Sequence, residues 1–390
     1  MIKNNNITPE VSGWDSPIAI HPGLYLDDLL EEFSMTQDEL SKRIDLHKKT
    51  VNEIIKGKAN ITVHTALKLS KVFPLSEGYW NNLQEIYFTD MARIEEEEKI
   101  KSEIEDYLPK YRETYKVLTD FGLIEKHRWL EKNFSEIVKN LQKYFGANSL
   151  LFPEQEFNVG TAFRTYSKKN INPLTVAAWV RAGERKAGAT RVESFDLNNL
   201  KLSIPKIRSL ATKSAGSYLP EIERILAECG VVIAYMPYFK NSYAQGAVRW
   251  LSKDKVLLML NTNKRSEDKF WFNLFHELGH IVKHGKINKE DRTKMYLDLE
   301  DMPDNKIENE ANQFAQEQLI PDFEIRYKQL LTNYKNNIRV GIVEISKELE
   351  IPTAVFAGRI AHYHSEGGDN VYPILSEFWK NTINYTNVSN

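Results

Sequence analysis

A chain of 390 residues, 42% hydrophobic and 27% charged, has an ordinary globular composition and room for two or three domains, each with its own core. The single cysteine, Cys229, excludes an intramolecular disulfide and reads as a small buried hydrophobe. No run approaches the roughly 18 apolar residues of a membrane span, and Asn4-Asn5-Asn6 begins nothing like a secretory signal, so a cytoplasmic protein without membrane contact is expected. The net charge of −2 says nothing for or against nucleic acid, but its distribution does.

Residues 20–90 predict five short helices. His21-Pro22-Gly23 opens the first, with Leu24, Leu29, Leu30 and Phe33 as its core positions. Thr36-Gln37-Asp38-Glu39 has the capping-box pattern, in which Thr and Glu each satisfy an orphan amide of the other, and it starts a helix burying Leu40 and Ile44. After a tight turn, a third helix carries Val51, Ile54 and Ile55 and ends at Gly57 as a left-handed cap. Thr62 caps a fourth helix with Ala66, Leu69 and Phe73 inward, and Ser76 to Phe88 makes a fifth around Trp80 and Leu83. Two helices joined by a tight turn within such a bundle follow the helix-turn-helix plan.

Between residues 42 and 58 there are six cations (Lys42, Arg43, Lys48, Lys49, Lys56, Lys58) against Asp45 and Glu53, a local balance of +4. Cations at both ends of the third helix suit phosphate contacts, and Thr50 and Asn52 are placed to reach base edges. Lys48, Lys49, Thr50, Asn52 and Lys56 are therefore the candidate DNA-binding residues, the plainer reading being a solvated face on a bundle that binds only protein. The stretches H-P-G-L-Y-L-D-D-L-L, T-Q-D-E-L-S-K-R-I, N-E-I-I-K-G-K-A-N-I-T and E-G-Y-W-N-N-L-Q-E-I-Y-F resemble the HigA/VapI-type antidote repressors. That resemblance implies a homodimer on double-stranded operator DNA. His47-Lys48-Lys49 departs from the small hydroxyl residues common there, so the base preference does not carry over.

From Ile94 the composition changes. Glu95 to Glu98 followed by Lys99 and Lys101 predict a charged connecting helix. Residues 104–200 continue as helices with turn signals at Pro109, Gly146, Pro153 and Pro173, and Phe163, Trp179 and Val180 as core, without evident chemistry. Val231 to Met236 and Val256 to Asn261 are aliphatic runs with strand character. The second run suits either an exposed strand that pairs with an extended substrate or a purely internal strand. Residues 344–349 and 355–360 look like a closing helical pair.

The chemistry is concentrated in Phe270-Trp271-Phe272-Asn273-Leu274-Phe275-His276-Glu277-Leu278-Gly279-His280, an H-E-x-x-H motif behind an apolar lead-in. Residues four apart share a helix face, so His276 and His280 can hold one Zn²⁺ while Glu277 takes a proton from water beside it. A third ligand has to come from elsewhere. The extended H-E-x-x-H-x-x-G-x-x-H form is excluded because Lys283 and Lys286 stand where Gly and His are required. Ile307 to Ala315 predicts an amphipathic helix with Ile307, Ala311, Phe314 and Ala315 as its buried stripe, and Glu308, at the edge of that stripe, is favoured over Glu310, which reads as a solvated charge. Asn312 and His284 are the candidates for orienting a ligating histidine, and His284 is the lesser candidate for the third ligand.

F-W-F-N-L-F-H-E-L-G-H-I and E-N-E-A-N-Q-F-A-Q-E-Q-L-I-P, with G-V-V-I-A-Y and G-A-V-R-W upstream, resemble the ImmA/IrrE zinc metallopeptidases over roughly residues 200–365. That resemblance implies a gluzincin-type site with His276, His280 and Glu308 on one zinc, Glu277 as general base, and a particular partner protein as substrate. The expected architecture is α+β and mostly helical: a helix-turn-helix bundle at 1–90, a helical middle region at 91–200, and a gluzincin-like domain with a small sheet at 201–390. The expected function is a DNA-binding antitoxin-type regulator that cleaves a partner protein. The rival is a non-proteolytic antitoxin whose zinc domain binds a toxin or senses a ligand.

Overall fold

A computed structural model describes residues 18–156, 171–263, 266–285, 295–299, 306–366 and 371–379, with Ile383 and Tyr385. Phe163 of the sequence reading lies outside them. The chain divides into two compact units, Met1–Asp106 and Tyr107–Asn390.

The first unit contains α1 (Pro22–Glu32), α2 (Gln37–Arg43), α3 (Lys48–Ile55), α4 (Val63–Leu69) and α5 (Glu77–Asp106). Side chains that accept orphan amides start the first four: His21 from Gly23, Thr36 from Glu39, His47 from Lys49 and Thr62 from Thr65. The two threonine caps, Thr36 and Thr62, each stabilise their helix by about 1 kcal/mol. Only half of the expected capping box forms, because Glu39 turns away from the cap and accepts from Arg43 at 2.6 Å. Gly23 is required by packing, since a β-carbon there would lie 1.8 Å from the carbonyl oxygen of Ile54. The core of this unit joins Leu26, Leu30, Leu40, Ile44, Val51, Ile54, Leu69, Phe73 and Trp80.

Two expectations are corrected here. Leu24 and Phe33 are 56% and 44% exposed, and Leu26 with Leu30 takes the inward face of α1. The close crossing of Gly23 over α3 sets that phase. The fifth helix does not stop at Phe88. It runs to Asp106 through the charged segment, where no Gly or Pro interrupts it and Arg93 bonds Glu97 at 2.9 Å one turn on.

The second unit begins with α6 (Arg112–Asp120), α7 (Phe134–Phe145), α8 (Leu151–Glu156), α9 (Pro173–Ala189), α10 (Leu197–Ser209) and α11 (Ala215–Glu228). A four-stranded sheet follows, ordered β1-β3-β2-β4, from β1 (Val231–Met236), β2 (Ala244–Ser252), β3 (Lys255–Asn261) and β4 (Met295–Leu299). β3 runs parallel to β1 and antiparallel to β2, and β4 pairs antiparallel with the other edge of β2. Between β3 and β4 comes α12 (Glu267–His284), and after β4 come α13 (Lys306–Leu319), α14 (Phe323–Asn333), α15 (Ile338–Glu348), α16 (Thr353–Glu366) and α17 (Tyr372–Leu375). The architecture is α+β and mostly helical, as expected.

Val256 to Leu260 is therefore an internal strand. Both of its edges are paired and its residues are buried, so it cannot offer backbone groups to a substrate. The helical middle region does not stand apart either. Trp179 on α9 is fully buried and donates its indole N–H to Pro237 O at 3.0 Å, and Gly183 leaves room for Met259 of β3. Cys229 is buried, as its sequence neighbours suggested.

Candidate metal centre and nucleic-acid interface

The apolar lead-in buries one face of α12: Phe270, Trp271, Leu274, Phe275 and Leu278 enter the core shared with α11 and the sheet. The helical period then carries His276 and His280 onto the face toward α13. Gly279 allows the two helices to approach, with Ala311 backbone atoms 3.1 Å from where its β-carbon would be. Glu308 on α13 consequently meets both histidines. Its Oε2 lies 3.2 Å from His276 Nε2 and 3.5 Å from His280 Nε2, and the two Nε2 atoms are 3.0 Å apart. One ligand atom from each of the three lies within 4.8 Å of the others.

Electrostatics follow from this crowding. Burial opposes charge on His276, but the hydrogen bond to Glu308, with Asp298 and Asn312, overcomes it and raises its pKa. Burial dominates at His280 and lowers its pKa. Burial would raise Glu308 too, yet its bonds to His276 and His280 hold it at about 2. His276 Nδ1 lies 2.8 Å from Asn312 Oδ1, and a proton held there on Nδ1 would leave Nε2 free to bind a metal ion.

Glu277, on the same helix, places a carboxylate oxygen within 4.8 Å of a ring nitrogen of His276. It is fully buried, and its carboxylate sits against β2 at Gly246, where a β-carbon would be 2.0 Å from Oε1. Burial, with Asp298 and Glu308 nearby, pushes its pKa well above the usual carboxylate range. Neither of its oxygens has a hydrogen-bond partner among the described residues, which is costly for a buried carboxylate. Two imidazole nitrogens, one carboxylate and a neighbouring carboxylate awaiting a proton donor are a donor set suited to Zn²⁺ with a water beside it.

His284 is not brought to this cluster. Its Nε2 lies 3.6 Å from Glu310, and its ring packs 5.7 Å from that of Tyr296. Glu310, read from the sequence as a solvated charge, is thus a partly exposed neighbour of His284 and of Lys306. Sequence reasoning missed two residues, both on β4. Tyr296 stacks on His280 at 4.9 Å with 9° between ring planes, and an Asp298 oxygen lies within 4.8 Å of ligand atoms of His276 and Glu277. The alternation of tyrosine and aspartate in M-Y-L-D-L was the available signal.

In the first unit, Lys48, Lys49 and Lys56 are exposed on α3 and its C-terminal cap, and Thr50 and Asn52 are half-buried. Lys48 is 3.6 Å from Asp38 and Lys49 is 3.8 Å from Glu53, both contacts at the surface and weak. Asn52 donates to Gln37 Oε1 at 3.0 Å, which ties α3 to the start of α2. Gln37 was read only as part of a cap.

Comparison with known proteins finds a match in each of the two regions that hold these residues. Residues 26–80 match the helix-turn-helix family model, and residues 228–361 match Peptidase_M78, described as an IrrE N-terminal-like domain. An uncharacterized HTH-type transcriptional regulator of Haemophilus influenzae is 34% identical over 58 residues, 15% of this chain and 54% of the relative, so the chain spans about half of its length. Virulence-associated protein I of Dichelobacter nodosus is 33% identical over 75 residues, 19% of this chain and 69% of that protein. Among solved structures, an addiction module antidote protein of the HigA family from Coxiella burnetii is 34% identical, with 23% of this chain and 98% of that chain covered at a TM-score of 0.20. The Pseudomonas aeruginosa antitoxin HigA with higBA promoter is 31% identical, with 23% and 99% covered at a TM-score of 0.21. No described helix is long and apolar enough to cross a membrane.

Proposed function

Because the chain belongs, over its N-terminal segment, to the HigA/VapI-type helix-turn-helix regulators and carries an IrrE-like Peptidase_M78 domain over residues 228–361, we propose that it is an operator-binding antitoxin-type regulator and a zinc endopeptidase for a specific partner protein. The observation that carries the peptidase half is the meeting of His276, His280 and Glu308 beside the sealed carboxylate of Glu277. His276, His280 and Glu308 would hold one Zn²⁺. When bound, the ion acts as a Lewis acid that lets water lose a proton near neutral pH and polarises a peptide carbonyl.

The chain's own residues do the rest. Glu277 takes the proton from the attacking water and returns it to the leaving amine, a role suited to a carboxyl whose pKa is raised by burial. Asn312 fixes the ring of His276, and Tyr296 fixes that of His280. In this reading α3 of two copies, as a homodimer in the cytoplasm, meets operator DNA through Lys48, Lys49 and Lys56, with Thr50 and Asn52 toward the bases. Residues 201–390 are taken as the peptidase-like part and 1–90 as the DNA-binding part.

Elemental analysis tests the first step. About one Zn²⁺ per chain is expected, lost in His280→Ala and Glu308→Ala and kept in Glu310→Ala. Loss on changing Glu310, with retention on changing Glu308, reverses the assignment. The rival reading, a zinc domain that only binds a toxin or ligand, gains support from the contact that β4 makes with the catalytic face.

A further inference from the structure

β2 is the strand that touches the reacting residues. Its Gly246 is in contact with the Glu277 carboxylate, and one of its edges is taken by β3. Its other edge is the strip along which an extended polypeptide would pair to bring its backbone across His276, Glu277 and His280. That edge carries β4, antiparallel, in the register Gly246↔Asp298, Ala247↔Leu297, Val248↔Tyr296 and Arg249↔Met295. Asp298 and Tyr296 are two residues apart and so share one face of the strand. On that face Asp298 reaches His276 and Glu277, and Tyr296 covers the ring of His280. All three residues of the H-E-x-x-H motif are thereby met by two side chains of β4.

We propose that β4 fills the substrate strip as an internal pseudo-substrate, so that a polypeptide reaches Glu277 only by displacing β4 from β2. This rests on the zinc peptidase reading given above. The exchange is one strand for another. The backbone hydrogen bonds lost from β4 are replaced by those of the incoming segment, so side chains and local concentration decide the outcome. A strand joined to the same chain competes at a millimolar effective concentration. A passing extended segment loses that competition, and only a partner with further contacts elsewhere on the protein wins it. A narrow substrate range follows from this arrangement without a selective pocket.

The test locks β4 in place without altering a side chain on the catalytic face. Ala247 and Leu297 are directly paired, so Ala247→Cys with Leu297→Cys places two thiols across the strand pair, while the native Cys229 stays buried. The full-length double variant, oxidised and reduced, is compared with the native chain for zinc content and for affinity toward a tri-leucine hydroxamate, an extended peptide with a metal-binding end. The expected result is one zinc in every form, and hydroxamate binding at least about tenfold weaker in the oxidised form than in the reduced form, which matches the native chain. Tyr296→Ala with Asp298→Ala should bind the hydroxamate more tightly than the native chain. Equal affinity in the oxidised and reduced forms, with zinc present in both, overturns the role given to β4 and leaves the peptidase reading standing. Absence of zinc from the native chain overturns both.

Discussion

Gly246 on β2 stands so close to Glu277 on α12 that a β-carbon at position 246 would lie 2.0 Å from Glu277 Oε1. The strand and the helix are thus fitted to each other at the residue assigned as general base. Gly246→Ala should push that carboxylate aside, at a stability cost of about 1–3 kcal/mol for overpacking. Zinc should remain, and cleavage of the partner should fall by about 10²-fold. Unchanged cleavage would mean that the carboxylate acts from another position.

Asn312 is expected to govern how tightly zinc is held rather than whether it binds. Asn312→Ala removes the acceptor that fixes His276 Nδ1. Zinc affinity measured against a competing chelator should drop about 10- to 100-fold, the usual range for losing a group that orients a ligand. His284→Ala should leave the affinity nearly unchanged, since His284 lies beside Glu310 and outside the cluster. A larger loss for His284→Ala than for Asn312→Ala would reverse the two roles.

The third prediction concerns DNA. Lys48→Glu with Lys49→Glu in the full chain should abolish the gel shift of its own upstream region. Lys56→Ala should weaken binding on all sequences and lower the salt slope by about one. Asn52→Ala should relax base preference instead, and, by freeing Gln37, should also cost some stability. Binding that survives the double charge reversal would mean that α3 does not face DNA.

Much of the candidate metal cluster was legible because helical phase is a local property. His276 and His280 follow from a four-residue spacing, and the choice of Glu308 over Glu310 follows from the phase of Ala311, Phe314 and Ala315, although Ile307, read into the same stripe, lies 41% exposed in the first turn of the helix. Asn312 follows from the same phase. What escaped depends on tertiary register. Nothing local says that M-Y-L-D-L pairs with β2 and not with solvent, so Asp298 and Tyr296 went unassigned. Gly246 had no reading as a contact until Glu277 was seen against it. Leu24 and Leu26 both suit an apolar face, and only the crossing at Gly23 decides between them.

The packing of α9 on the sheet makes a further prediction about fragments. A chain beginning at residue 201 lacks Trp179 and Gly183 and exposes the surface of β1 and β3 that they cover. It should melt well below a chain beginning at residue 107, which keeps the whole second unit. Equal melting temperatures would mean that residues 107–200 add little to the stability of the rest of the second unit.

The most direct test combines metal content and cleavage in one pair of proteins. The native chain and Glu277→Gln are each co-expressed with proteins from neighbouring genes, helix-turn-helix proteins first, then purified and assayed for zinc and for fragments of the partner. Both should carry about one zinc per chain. Fragments should appear only with the native chain, because Gln keeps the shape of Glu277 and cannot accept the proton. Fragments of equal abundance with Glu277→Gln, or full repression and toxin neutralisation by that variant with no fragments from either protein, would contradict the peptidase.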